Sequence, residues 1–89
     1  MKDKCFNTYQ SKIAPLLEAE NLRQIEEWGI QDHEVCEWLA ITAEEFGEMS
    51  KAIVEYRFGL GLPKNVVKEA IQTATLCLKI AEMFMNESA

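Results

Sequence analysis

Two short segments carry acidic and amide side chains at a spacing that suits metal binding. Glu45 and Glu48 are three residues apart, and so are Glu69 and Gln72 further along the chain. Residues three or four apart on an α-helix share a face, so two such helices packed together would bring three carboxylates and one carboxamide to one place. Hard divalent cations such as Mg²⁺ prefer oxygen ligands of this kind and commonly accompany substrate phosphates. The spacing therefore predicts a metal site that serves phosphate chemistry.

Among these residues, Glu69 is the strongest candidate for a metal ligand. On a helical wheel it falls inside an apolar arc, and a buried carboxylate is tolerated only when it is paired or bound to a metal. Glu45 and Glu48 taken alone would more often be a solvated helix surface, and the setting of Glu69 shifts the balance toward a metal site. Glu44 is either a base near a metal-bound water or a solvated residue.

A second set of residues could contact a nucleotide. Trp28 and Trp38, with His33 between them, could stack on a base or hydrogen-bond it, although tryptophans in a small bundle are more often core or interface anchors. For Trp38 the two roles are equally favoured, whereas Trp28, at a helix end, is assigned to the site. Lys51, one turn after Glu48, could reach a phosphate or pair with Glu48 or Glu55.

Length, charge and cysteine content narrow the class of protein. A chain of 89 residues predicts one domain spanning residues 1–89. With 9 Lys and Arg against 15 Asp and Glu, the net charge of −6 leaves no basic surface for a nucleic-acid polymer. The three cysteines, Cys5, Cys36 and Cys77, lack CxxC spacing and are expected to be buried thiols in a reducing compartment. No apolar run approaches membrane-spanning length, so we expect a cytoplasmic protein without a membrane partner.

Helix breakers divide the chain into three helical segments, at about residues 7–27, 33–58 and 63–85. In the first segment, Pro15 marks either the first turn of a helix that begins near Ala14 or a kink in a longer helix. Gly29 is expected to be a left-handed C-cap, and Asp32 is expected to be the N-cap of the second segment. Pro63 or Asn65 sets the start of the third.

Helical-wheel positions predict which faces are buried. The predicted core face of the second segment consists of Leu39, Thr42, Phe46, Met49, Ile53 and Tyr56. The predicted core of the third consists of Val66, Ala70, Ala74, Cys77, Ile80, Ala81 and Phe84, extended by Leu76 and Met83, with a solvent stripe of Lys68, Thr75, Lys79 and Glu82. Arcs this wide require each helix to bury more than one face. We therefore expect an all-α bundle of four-helix type whose core is completed by oligomerisation. The active site would lie either within one subunit or between subunits.

Several segments resemble one enzyme family. The stretches Trp28 to His33, Trp38 to Ile41, Glu44 to Ile53 and Glu69 to Ala74 are similar to the MazG-like branch of the all-α nucleoside triphosphate pyrophosphohydrolases. The likeness covers most of the chain from about Leu22 onward and is strongest from Glu44 to Glu48. The family pattern is ExxE followed, after a variable spacer, by ExxD. The resemblance implies a dimeric or tetrameric helical bundle that uses Mg²⁺, with Mn²⁺ able to substitute, to cleave a nucleoside triphosphate to monophosphate and pyrophosphate.

The resemblance also implies roles for individual residues. Glu45 and Glu48 match the first pair and Glu69 the start of the second, whereas Gln72 stands where the family has Asp. A carboxamide can coordinate Mg²⁺ but adds no negative charge, so either one metal is held more weakly or Gln72 does not touch it. The implied mechanism is attack on phosphorus by a metal-oriented water, with Glu44, Glu45 and Glu48 as catalytic residues.

The substrate contacts implied by the resemblance are spread along the chain. Trp28, Gln31, His33 and Trp38 are candidates for holding the base or sugar, and Lys51 or Arg57 for the phosphates. The expected substrate is a deoxynucleotide or a modified nucleotide, in keeping with nucleotide-pool housecleaning. The alternative is a catalytically weak or inactive module for helical interaction or nucleotide binding, and the departure at Gln72 is its main support.

Overall fold

The computed structural model describes residues 8–87, and all regular structure in that range is helical. A π-helical turn, Tyr9–Ile13, precedes three α-helices: α1 (Ala14–Trp28), α2 (Val35–Arg57) and α3 (Pro63–Glu87). The all-α prediction is confirmed. By internal contacts the chain divides into two units, the first ending at Gln31 and the second beginning at Asp32, and the single-domain prediction stays a prediction. None of the described helices is long and apolar enough to cross a membrane.

The first unit contains α1, and Pro15 determines where this helix begins. Pro15 lies in the first turn, where its missing N–H would have had no partner within the helix. Of the two alternatives for this segment, the helix that begins at Ala14 is confirmed. The helix ends at Gly29, whose N–H donates to the carbonyl of Ile25 at 2.7 Å. Its φ of 75° is positive as predicted, but its ψ of −175° belongs to an extended glycine region and not to the left-handed helical region.

An ion-pair cluster lies along α1. The Arg23 guanidinium donates to both carboxylate oxygens of Glu20, at 2.9 and 2.7 Å, and a further nitrogen donates to Glu27. The hydrogen bond to Glu20, opposed in part by desolvation, raises the pKa of Arg23 above its usual range. The guanidinium carbon also lies 5.4 Å from the centre of the Trp28 ring. These contacts link successive turns of the helix on one side.

A capping box starts α2, and it corrects the predicted N-cap. The carboxylate of Glu34 accepts from the N–H of Cys36 at 2.9 Å, while the carboxylate of Glu37 accepts from the N–H of Glu34 at 3.0 Å. The prediction of Asp32 as N-cap is wrong. A reciprocal box needs an acceptor three residues after the cap, and the residue three after Asp32 is Val35, which has none.

A tight reversal joins α2 to α3. Gly59, at φ 77°, donates to the carbonyl of Tyr56 at 3.1 Å, and the N–H of Leu60 donates to the carbonyl of Glu55 at 2.8 Å. This pair of bonds is a Schellman motif, which requires the positive φ that glycine adopts without strain. A Cβ on Gly61 would lie 3.3 Å from the Cβ of Glu55, so the chain passes close to the end of α2. The third helix begins at Pro63 and forms an antiparallel hairpin with the second.

The packed face of this hairpin differs from the predicted one on α2. The buried apolar residues are Trp38 and Ala52 of α2 and Leu76 of α3. Leu39, Phe46 and Ile53, from the predicted core arc, are 62%, 56% and 46% exposed, and Tyr56 is also exposed. Four of the six predicted core residues are thus exposed in the single chain, and only Thr42 and Met49 are half-buried. The predicted core face is not the face that packs against α3. The physical reason is that α3 packs on the neighbouring face, on which Trp38 and Ala52 lie.

The solvent stripe predicted for α3 is also corrected. Thr75 was assigned to solvent, yet it is only 2% exposed, while Cys77, Ala81 and Phe84 of the predicted core are exposed. Cys36 of α2 is exposed too, so the prediction of buried thiols is wrong for these two cysteines, and Cys5 lies outside the described residues. The Thr75 hydroxyl donates to the carbonyl of Ile71 at 2.8 Å, and this bond removes the cost of burying it. A helical wheel gives angles around a helix but does not say on which side the neighbouring helix lies.

Candidate functional site

The end of the hairpin near the reversal holds a pocket of about 170 Å³. It lies between the last turns of α2 and the first turns of α3. Its lining consists of Glu48, Lys51, Ala52 and Glu55 from α2 with Asn65, Lys68 and Glu69 from α3. Six of these seven side chains are charged or carry an amide.

The spacing of the lining residues explains why they meet. On α2, Glu48 is three and four residues from Lys51 and Ala52, and Glu55 is four and three residues from the same two. On α3, Asn65 is three and four residues from Lys68 and Glu69. Such intervals place side chains on a single helix face. The antiparallel reversal after Glu55 then sets the two faces against each other. The sequence thus assembles the pocket through helical periodicity and one glycine-dependent turn.

Glu69 is the most unusual side chain of the pocket. The residue is half-buried, and its Oε2 atom is buried without a hydrogen-bond partner in the part of the chain that the structure describes. An ionised oxygen removed from water and left without a donor costs on the order of 1–3 kcal/mol or more. A cation at this oxygen would remove that cost. The prediction of Glu69 as the leading ligand candidate therefore gains a structural observation in its support.

Charges of both signs meet in this pocket. Glu48, Glu55 and Glu69 contribute three carboxylates, and Lys51 and Lys68 contribute two ammonium groups. The lining has an excess of one negative charge when all five groups are ionised. Such a lining offers hard oxygen ligands to a cation and N–H donors to an anion within one cavity.

The predicted metal ligands are only partly brought together. Glu48 and Glu69 line the same pocket, whereas Glu45 and Gln72, both half-buried, lie one turn away on α2 and α3 and do not line it. Glu44 is exposed on α2 and does not line it either. Over residues 8–87, no group of three or more His, Cys, Asp or Glu side chains is arranged to hold a metal ion. The four-residue metal site stays a prediction.

The residues predicted to bind the base do not line this pocket. Trp38 is buried, with the His33 ring edge-on at 4.8 Å between centroids and the Lys79 Nζ 5.7 Å from its ring centre. These contacts favour the core role for Trp38 over an open stacking surface. Trp28 and Gln31 are exposed and belong to the first unit. Their roles, and that of His33, stay predictions.

Three polar residues of the pocket, and Ala52 beside them, were not predicted to belong to the site. Lys68 had been assigned to the solvent stripe, Asn65 only to the start of a helix, and Glu55 to a partner of Lys51. Arg57, predicted to contact phosphate, is exposed at the end of α2 and does not line the pocket. The antiparallel pairing could have identified these three residues, because a short turn before Pro63 places the first turns of α3 beside the last turns of α2.

Comparison of the chain with known family models, with curated proteins and with solved structures finds no match in any of the three. The likeness to MazG-like enzymes therefore depends on the residues that carry it, and the functional argument depends on the pocket.

Proposed function

We propose that this chain is a Mg²⁺-dependent nucleoside triphosphate pyrophosphohydrolase of the MazG-like type, which cleaves between the α and β phosphates. One observation carries the proposal: Glu69, whose Oε2 is buried without a hydrogen-bond partner among the described residues, lines a pocket that Glu48 and two lysines also line. A buried carboxylate oxygen without a donor is a favourable place for a hard cation. A cavity with adjacent ammonium groups suits the phosphates that such a cation accompanies.

In this proposal, side chains from both helices of the hairpin would hold a divalent cation. Glu48 and Glu69 would hold it from the two helices, with Glu45 added from the preceding turn of α2. Gln72 would contribute at most a neutral oxygen. Bound Mg²⁺ would supply charge neutralisation of the phosphates and activation of a water. Lys51 would bind a phosphate oxygen, and Glu44 would orient the attacking water or take its proton.

An oligomer is part of the proposal, and the exposed stripe of α2 supports it. Leu39, Phe46 and Ile53 recur every seven residues and are all exposed. Apolar residues at this interval form the seam of paired helices. Two copies of the α2–α3 hairpin joined along these stripes would make a four-helix bundle, as a homodimer or as half of a homotetramer. Phe46 and Glu48 lie about 200° apart around the helix, so the seam would leave the pocket open.

A substrate screen tests the proposed activity. Purified protein is incubated with common and modified nucleoside triphosphates and Mg²⁺ or Mn²⁺, and the products are separated by chromatography. Release of pyrophosphate and a nucleoside monophosphate is the expected result. Absence of pyrophosphate release from every nucleotide, in a protein that still binds metal, would favour the alternative of a non-catalytic module, for which the departure at Gln72 is the main support.

A further inference from the structure

We infer that Lys68 and Lys51 hold the phosphate tail of the ligand from opposite walls of the pocket, so that the site recognises a metal–polyphosphate group and not a base. Inorganic triphosphate with Mg²⁺ should therefore be a sufficient ligand. The inference rests on the proposed function, because it names the part of the substrate that this pocket binds.

The positions of the two lysines support this assignment. Lys51 lines the pocket from α2 and Lys68 lines it from α3, so an anion between the helices would meet a donor on each side. Lys68 precedes Glu69 in the chain, and Lys51 lies one turn after Glu48, so each lysine accompanies a proposed metal ligand. A Mg²⁺–polyphosphate complex has the same arrangement of charge, with a cation bound to some oxygens and further anionic oxygens beside it. Carboxylates suit the first part and ammonium groups the second.

The chemical character of the lining excludes base recognition within this cavity. Sites that bind planar bases use aromatic or apolar walls, and among residues 8–87 Ala52 is the only apolar one that lines the pocket. Asn65 and the charged side chains offer hydrogen bonds and charge without a stacking surface. The lining thus suits a compact, highly charged and strongly hydrated ligand.

The beginning of α3 adds to the attraction for an anion. Asn65, in the first turn of this long helix, lines the pocket, and that turn contains no acidic residue. The positive end of the helix dipole is therefore not offset by a carboxylate in the same turn. Lys64 occupies the same turn but does not line the pocket, and it carries the same charge as Lys68. It is a matched control for the effect of charge alone.

Isothermal titration calorimetry tests the inference with inorganic triphosphate and Mg²⁺ on the full chain. Lys68→Gln should weaken binding by about tenfold or more, the loss expected for one hydrogen bond to a charged group. Lys68→Arg should restore affinity to within about threefold, because it keeps the charge and the donors. Lys64→Gln should change affinity by less than about threefold, as expected for an exposed charge outside the site. Circular dichroism and thermal melting of each variant verify that the fold is intact.

The outcomes separate this inference from the proposed activity. Equal losses in Lys68→Gln and Lys64→Gln, no loss in Lys68→Gln, or no binding of triphosphate by the wild type would each overturn the inference. Binding that depends on Lys68 in a protein that releases no pyrophosphate would uphold the inference and refute the enzyme. Hydrolysis with an unchanged KM in Lys68→Gln would uphold the enzyme and refute the inference. A nucleoside triphosphate that binds more than about a hundredfold tighter than inorganic triphosphate would show that the base is recognised after all.

Discussion

Replacing Glu69 by Gln is the most direct test of the proposed metal site. The substitution keeps the size and shape of the side chain, removes its charge and replaces one acceptor oxygen by an NH2 donor. The wild type should gain stability from Mg²⁺ through mass action, by about 1.4 kcal/mol when free Mg²⁺ is ten times its dissociation constant. For a domain of this size that gain corresponds to roughly 6–11 °C in melting temperature. The variant should lose this metal-linked gain.

The structure also predicts the behaviour of the variant without metal. Oε2 of Glu69 is buried without a donor, and the penalty for such an oxygen falls when the group is neutral. The metal-free variant should therefore melt no lower than the metal-free wild type, and up to about 8 °C higher if 1 kcal/mol of the penalty is removed. Its helical circular dichroism should be unchanged.

The measurement is thermal melting followed by circular dichroism, with and without Mg²⁺, at one fixed protein concentration. Glu82→Gln is the matched control, because Glu82 is exposed on the same helix about 20 Å further along and outside the pocket. The control should keep the metal-linked rise. A wild type without any rise, an unfolded Glu69→Gln variant, or an equal loss in both variants would refute the reasoning.

Three further outcomes follow from the pocket and from the exposed stripe. In steady-state assays, Glu48→Ala should lower turnover by at least about a hundredfold and Lys51→Ala by about tenfold, because only the first removes a proposed metal ligand. Equal losses would contradict the assignment. Light scattering should find at least a dimer for the wild type and a smaller species for Phe46→Glu, and a compact wild-type monomer at micromolar concentration would rule out the seam. In metal titrations, Glu55→Gln should weaken Mg²⁺ binding more than Gln72→Asp strengthens it, and the reverse order would place the metal away from the pocket.

The sequence predicted the helices well because their signals are local. Pro15, Gly29 and Pro63 act on their own backbone and their immediate neighbours, so the helix boundaries near them could be predicted without knowledge of the fold. The details were less certain: Pro15 allowed two alternatives, and the ψ of Gly29 differs from that of a left-handed cap. The predicted N-cap of α2 was wrong, although a cap is also a local feature. Asp32 is the better single cap by residue type, but Glu34 with Glu37 makes two reciprocal bonds, and two bonds outweigh a preference for one residue.

The buried faces were harder to predict because they depend on distant parts of the chain. Leu39 and Phe46 are apolar at helical spacing, and that pattern is the same whether a residue packs on its own chain or on a second copy. Within one chain they are exposed, and Trp38 on the adjacent face is buried. Thr75 shows the converse, because a local hydrogen bond to Ile71 let a polar residue take a buried position that its type did not suggest.

The candidate site was predicted in part for the same reason. Glu48 and Glu69 could be selected by type and spacing within their own helices, and the structure places both in one pocket. Lys68 and Glu55 enter that pocket only because the reversal at Gly59 fixes which turn of α3 faces which turn of α2. That register is a property of the hairpin and is invisible in either helix alone.

The position of Glu55 changes how the departure at Gln72 should be interpreted. The family pattern would supply a fourth carboxylate at position 72, but Gln72 does not line the pocket in this chain. Glu55 does line it, one helical turn from Lys51, and it is absent from the ExxE and ExxD pattern. With Glu48, Glu55 and Glu69 the pocket has three carboxylates without any contribution from position 72. If Mg²⁺ binds there, the charge that a neutral Gln72 fails to provide is supplied at the pocket by Glu55. In that case the amide does not by itself imply lost chemistry.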